Sequence, residues 1–80
     1  MNIGDRPVTL FVVPHCPLCS EARKWLSEHQ VDYAEHNVAA DWGALREMYE
    51  GTRQRYVPVI KVGDTFLIRP SREELRQLLS

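Results

Sequence analysis

Eighty residues make one domain spanning 1–80, because independently folding units typically run from roughly 50 to 200 residues. An apolar share of 44% with 26% charged side chains excludes a disordered chain, and ten basic against eleven acidic residues leave no cationic footprint for nucleic acid. The longest apolar run, Leu10-Phe11-Val12-Val13, falls far short of the roughly 20 residues that a membrane span demands.

Residues 8–13 are β-branched and apolar on both faces, as a buried strand of a parallel pair should be. Pro14 stops that strand. From Pro17 onward Leu18, Ala22, Trp25 and Leu26 recur at helical spacing between charged residues, which predicts an amphipathic helix ending near His29-Gln30. Residues 31–38 alternate loosely and read as a second strand. Asp41 caps a second helix whose apolar stripe is Leu45, Met48 and Tyr49, with Gly51 placed just past its end. Residues 57–62 and 65–68 flank Gly63-Asp64 and read as a β-hairpin. Ser71-Arg72-Glu73-Glu74 has the form of a capping box and opens a third helix that buries Leu75, Leu78 and Leu79.

The order is therefore βαβαββα, an α/β fold. The first strand–helix–strand unit implies parallel pairing, and the closing hairpin adds two antiparallel strands. The expected product is a mixed four-stranded sheet with helices on both faces. Sheets of this kind present their ligand site at the carboxyl end of the first strand, just ahead of Cys16.

Cys16-Pro17-Leu18-Cys19 holds both cysteines of the chain. A pair this close closes too small a loop to staple a fold, so redox chemistry, metal binding and simple burial are the alternatives. Redox chemistry has a physical rationale here. Cys16 sits where a strand gives way to a helix, so its sulfur meets unpaired backbone N–H groups and the positive end of the helix dipole. Both favour the thiolate, the form that attacks disulfides. Pro17 suits the first helical position, and Cys19 lies one turn along the same face. A division of labour follows, with exposed Cys16 as nucleophile and more deeply buried Cys19 as resolving thiol. A zinc or iron–sulfur carrier is the non-catalytic rival, but His15, His29 and His36 supply no second close pair of ligands. His15 either tunes the neighbouring thiolate or is a solvated loop residue. Trp25, Met48 and Tyr49 fit core positions, and Tyr33 fits either core or rim.

With Cys16-Pro17-Leu18-Cys19 after a strand and Tyr56-Val57-Pro58 ahead of a hairpin, the chain resembles a glutaredoxin-like member of the thioredoxin superfamily over essentially its whole length. That resemblance implies a cytoplasmic, monomeric thiol–disulfide oxidoreductase that needs no cofactor or metal, and acts on disulfide-containing proteins or small molecules. It implies a cis Val57–Pro58 bond beside the nucleophilic sulfur, with the Val57 backbone free to pair with an extended substrate. His15, Tyr56, Val57, Pro58 and Arg69 are then the candidate substrate-binding residues. Four departures stand out. Val13 replaces the family's lysine three residues before the first cysteine, and Leu18 replaces a commonly aromatic residue. Tyr56 stands for the threonine of Thr-Val-Pro. Ile68-Arg69-Pro70-Ser71 replaces the Gly-Gly and acidic cap that hold the γ-glutamyl end of glutathione. An Arg-Pro step here is similar to that of redoxins reduced by thioredoxin reductase, so the electron donor is thioredoxin reductase or glutathione, with the former favoured. Arg53, Arg55 and Arg69 are candidates to hold a carboxylate, or are solvated surface. The absence of a basic start and apolar stretch in residues 1–5 argues against a secretion signal.

Overall fold

The computed structural model describes residues 7–79 of the chain; residues 1–5, read above for a signal, lie outside them. Four strands and three helices follow in the order β1 (Val8–Val12), α1 (Pro17–Glu28), β2 (Ala34–Asn37), α2 (Trp42–Thr52), β3 (Val59–Val62), β4 (Thr65–Ile68) and α3 (Arg72–Leu79). The sheet order is β2-β1-β3-β4. β1 pairs in parallel with β2 and antiparallel with β3, and β3 pairs antiparallel with β4. No described helix is long and apolar enough to cross a membrane.

Strand register decides which side chains reach which helix layer. Leu10 pairs with Glu35 and Ile60, and Phe11 pairs with His36 and Val59, so the two sets point to opposite faces. On the Leu10 face, Arg23 of α1 grips Glu35 of β2 through bonds of 3.0 and 2.8 Å. That fork holds the Glu35 carboxyl below the usual carboxylate range. On the Phe11 face, the Phe11 ring lies 6.0 Å from His36 and 6.5 Å from Phe66, and Lys61 reaches Glu47 of α2 at 2.7 Å. Leu10, Phe11, Leu26, Met48, Val59 and Ile60 are fully excluded from solvent.

The helix ends explain where the observed boundaries depart from the expected ones. After α1, Gln30 adopts φ 58°, its N–H bonds Ser27 O, and the Val31 N–H bonds Leu26 O at 2.9 Å. This paired closure is a Schellman motif. It takes up Val31, so β2 is the short segment Ala34–Asn37 rather than residues 31–38. α2 likewise runs past Gly51 to Thr52, and Arg53 takes the left-handed cap at φ 58°. Gly51 is not a terminator, because a Cβ there would overlap the Phe66 ring of β4. Tyr49 is 42% exposed rather than core; Ala44 and Met48 make the buried stripe of α2. The capping box of α3 forms as expected: Ser71 Oγ accepts from the Glu74 N–H at 3.1 Å, and the Ser71 N–H donates to Glu74 Oε1 at 2.8 Å.

Gly51→Ala is expected to destabilise the fold. Crowding a packed contact costs about 1–3 kcal/mol, against a helix-propensity gain of up to about 1 kcal/mol. A net loss of about 1 kcal/mol should appear as a lower denaturation midpoint. An unchanged or raised midpoint would show that Phe66 moves aside freely.

Candidate active site

β1 ends at Val12, and the chain turns through Pro14 and His15 before α1 begins. His15 takes the left-handed conformation, φ 58°, which reverses the backbone and delivers Cys16 to the helix start. Cys16 is the N-cap of α1, with extended backbone at φ −112° and Pro17 directly after it. Its Sγ accepts the Cys19 backbone N–H at 3.1 Å, so the thiol does the work usually given to a serine or aspartate oxygen at this position.

Cys16 is half-buried, whereas Cys19 is buried at 1% exposure; both are free thiols. Burial pushes the Cys19 thiol up to about 11, and its hydrogen bond to the Cys16 sulfur adds to the rise. The Val13 backbone opposes that shift. The two sulfurs therefore face each other in unequal settings, one open to solvent and one sealed beneath it.

The Val57–Pro58 peptide is cis, as the resemblance implied. Both residues are buried and directly precede β3. Arg69 closes over this step. Its Nε–H donates to Val57 O at 2.8 Å, its backbone N–H donates to Pro58 O at 2.8 Å, and its guanidinium lies 4.9 Å from the centre of the exposed Tyr56 ring. Tyr56, Val57, Pro58 and Arg69 thus form one cluster. His15 is exposed and stands apart from that cluster, walling a shallow depression with Val13, Cys16, Ser20 and Arg23. No hydrogen bond joins its ring to the Cys16 sulfur among the described residues.

A second depression, lined by Leu18, Trp25, Pro58, Arg69, Pro70 and Leu75 among others, was not foreseen from sequence. Leu18 is 50% exposed. The signal was its place between the cysteines, where an apolar side chain faces away from the core. Arg53 and Arg55 line neither depression; Arg55 lies over the Tyr49 ring instead. Among the described residues no three His, Cys, Asp or Glu side chains gather as a metal site would need.

The glutaredoxin family model matches residues 8–67, from β1 into β4. The chain belongs to the glutaredoxin family. A relative in Clostridium pasteurianum, an uncharacterized glutaredoxin-like 8.6 kDa protein in the rubredoxin operon, is 26% identical over 72 residues, covering 90% of this chain and 96% of that one. Among solved structures, the thioredoxin-like protein BC3987 superposes with a TM-score of 0.84 at 24% identity, covering 90% of this chain and 99% of the other. A glutaredoxin from Archaeoglobus fulgidus gives 0.82 at 20% identity, covering 94% and 87%. At these identities the structural likeness shows a shared thioredoxin-type fold. This glutaredoxin-family chain carries its cysteine pair at the β1–α1 junction.

Proposed function

We propose that this glutaredoxin-family protein is a dithiol thiol–disulfide oxidoreductase working through Cys16 and Cys19. The observation that carries the reading is the unequal pair: an accessible sulfur at a helix N-cap, and a sealed thiol in hydrogen-bond contact behind it. The Cys16 thiolate attacks one sulfur of a substrate disulfide. One substrate thiolate leaves and takes a proton, and a mixed disulfide joins Cys16 to the other half. Cys19 then loses its proton and attacks Cys16 Sγ, expelling the second substrate thiol. The substrate gains two electrons and two protons, and the protein keeps a Cys16–Cys19 disulfide. The two sulfurs carry both electrons, so no metal or organic cofactor is required.

The substrate segment lies against Tyr56, Val57 and Pro58, with His15 and Arg69 as the further contacts. Protein or small-molecule disulfides are the substrates, and the oxidised pair is returned to dithiol by a flavoenzyme of the thioredoxin reductase kind or by glutathione. The protein acts in the cytoplasm as a monomer.

The test uses purified, pre-reduced protein mixed with a protein disulfide such as insulin. One substrate disulfide should be reduced per chain, with loss of two protein thiols. Protein that carries about one equivalent of zinc or a cluster absorbance, and leaves insulin intact, would overturn the reading in favour of a carrier.

A further inference from the structure

Val57 precedes β3 and so stands outside the sheet ladder. An extended segment pairing with such a residue in antiparallel fashion uses both its N–H and its C=O. The two groups are not equally available here. No hydrogen bond takes the Val57 N–H among the described residues, whereas the C=O already accepts from Arg69 Nε at 2.8 Å.

Three further observations hold Arg69 in that position. Its backbone sits in the left-handed region at φ 46°, an uncommon conformation for a long side chain. Its own N–H is anchored on Pro58 O at 2.8 Å. Its guanidinium stacks on Tyr56 at 4.9 Å, and no carboxylate forms an ion pair with it among the described residues. The guanidinium suits this double duty, because its Nε–H reaches the carbonyl while its Cζ lies over the ring.

We propose that Arg69 is a specificity-determining latch, which occupies the Val57 carbonyl and leaves peptide substrates a one-sided grip. The proposal rests on the dithiol reading above and says which disulfides that site disfavours. A disulfide flanked by peptide groups must either leave one of its N–H donors unpaired or displace Arg69. A compact disulfide with no peptide groups meets no such obstacle. The latch therefore narrows discrimination between the two classes by the worth of about one hydrogen bond, roughly 3- to 10-fold.

The probes are chosen to carry no charge. One is the disulfide dimer of acetylated and amidated Ala-Cys-Ala, and the other is bis(2-hydroxyethyl) disulfide. The reduced protein is mixed with each, and the second-order rate of thiol loss is recorded. Two variants separate the hydrogen bond from charge and backbone. Arg69→Gly accepts the left-handed φ without penalty, and Arg69→Lys keeps the charge but lacks the planar fork. Both should raise the peptide-to-compact rate ratio by roughly 3- to 10-fold relative to the natural protein. Denaturation midpoints are taken alongside to confirm that both variants are folded at the assay temperature. An active natural protein whose ratio is unchanged or lowered in either variant sinks the latch and leaves the dithiol reading standing. A natural protein that reduces neither disulfide sinks the dithiol reading, and the latch with it.

Discussion

Cys16→Ser is expected to abolish disulfide reduction, whereas Cys19→Ser is expected to keep the first step and stall as a mixed disulfide. The sulfurs differ in access and in environment. Cys16 is half-buried at the N-cap and accepts a helix-start N–H at 3.1 Å. Cys19 is 1% exposed, with its thiol pushed from 9.0 to about 11, first of all by burial. A rise of about two units leaves roughly a hundredth of the thiolate that an ordinary cysteine has at neutral pH. Cys19 alone is thus both hidden and protonated, and activity in Cys16→Ser should fall at least about a hundredfold. Iodoacetamide supplies the pH axis. Cys19→Ser, which keeps the more accessible sulfur, should be alkylated faster at pH 7 than Cys16→Ser. Cys16→Ser should resist at pH 7 and react faster as the pH rises, because burial still raises the Cys19 thiol. Mass spectrometry after mixing with a disulfide should find the mixed species on Cys19→Ser. Equal trapping by both variants, or equal alkylation at pH 7, would show that the roles are not divided in this way.

The layered α/β fold was legible because its signals are local and strong. The apolar run 8–13, the helical spacing of Leu18, Ala22, Trp25 and Leu26, and the Ser71–Glu74 capping box each announce an element without reference to the rest of the chain, although β1 stops at Val12 and Leu18 stays 50% exposed. The cysteine pair was legible for the same reason, since a strand end, a proline at the first helical position and two thiols one turn apart are adjacent in sequence. What the sequence withheld was non-local. Gly51 looked like a helix stop, and only the Phe66 ring arriving from β4 explains why a glycine is needed inside α2. Val31 looked like strand, but the turn that seals α1 claims its N–H. Arg69 was readable as a candidate substrate contact, but its own anchor was not. Its left-handed backbone folds it back onto Val57, a contact between residues twelve positions apart that no periodicity could announce.

The second large effect concerns the electron donor: glutathione should re-reduce the oxidised protein at least tenfold to a hundredfold less efficiently than a flavoenzyme of the thioredoxin reductase kind. Glutathione carries two carboxylates and one ammonium, and a site for it needs a cation near one end and backbone donors near the other. The cation position, three residues before Cys16, is Val13, a half-buried aliphatic side chain. The nearby guanidinium of Arg23 is already gripped by Glu35. At the other end the backbone donors are spent or missing. The Arg69 N–H is bound to Pro58 O, Pro70 has none, and the Ser71 N–H is bound to Glu74 Oε1. Recruiting any of them would first break a hydrogen bond inside the protein. Each charge-assisted bond forgone is worth about 1.5–3 kcal/mol, so the loss of two corresponds to a complex weaker by about a hundredfold or more, and the loss of one to about tenfold or more. A flavoenzyme that delivers electrons directly to the disulfide would not depend on those donors. The measurement is NADPH consumption with insulin as acceptor, comparing glutathione plus its reductase against thioredoxin reductase alone. Efficient turnover with glutathione and none with thioredoxin reductase would mean that the side chains at 69–71 rearrange to release their backbone donors, against the arrangement described.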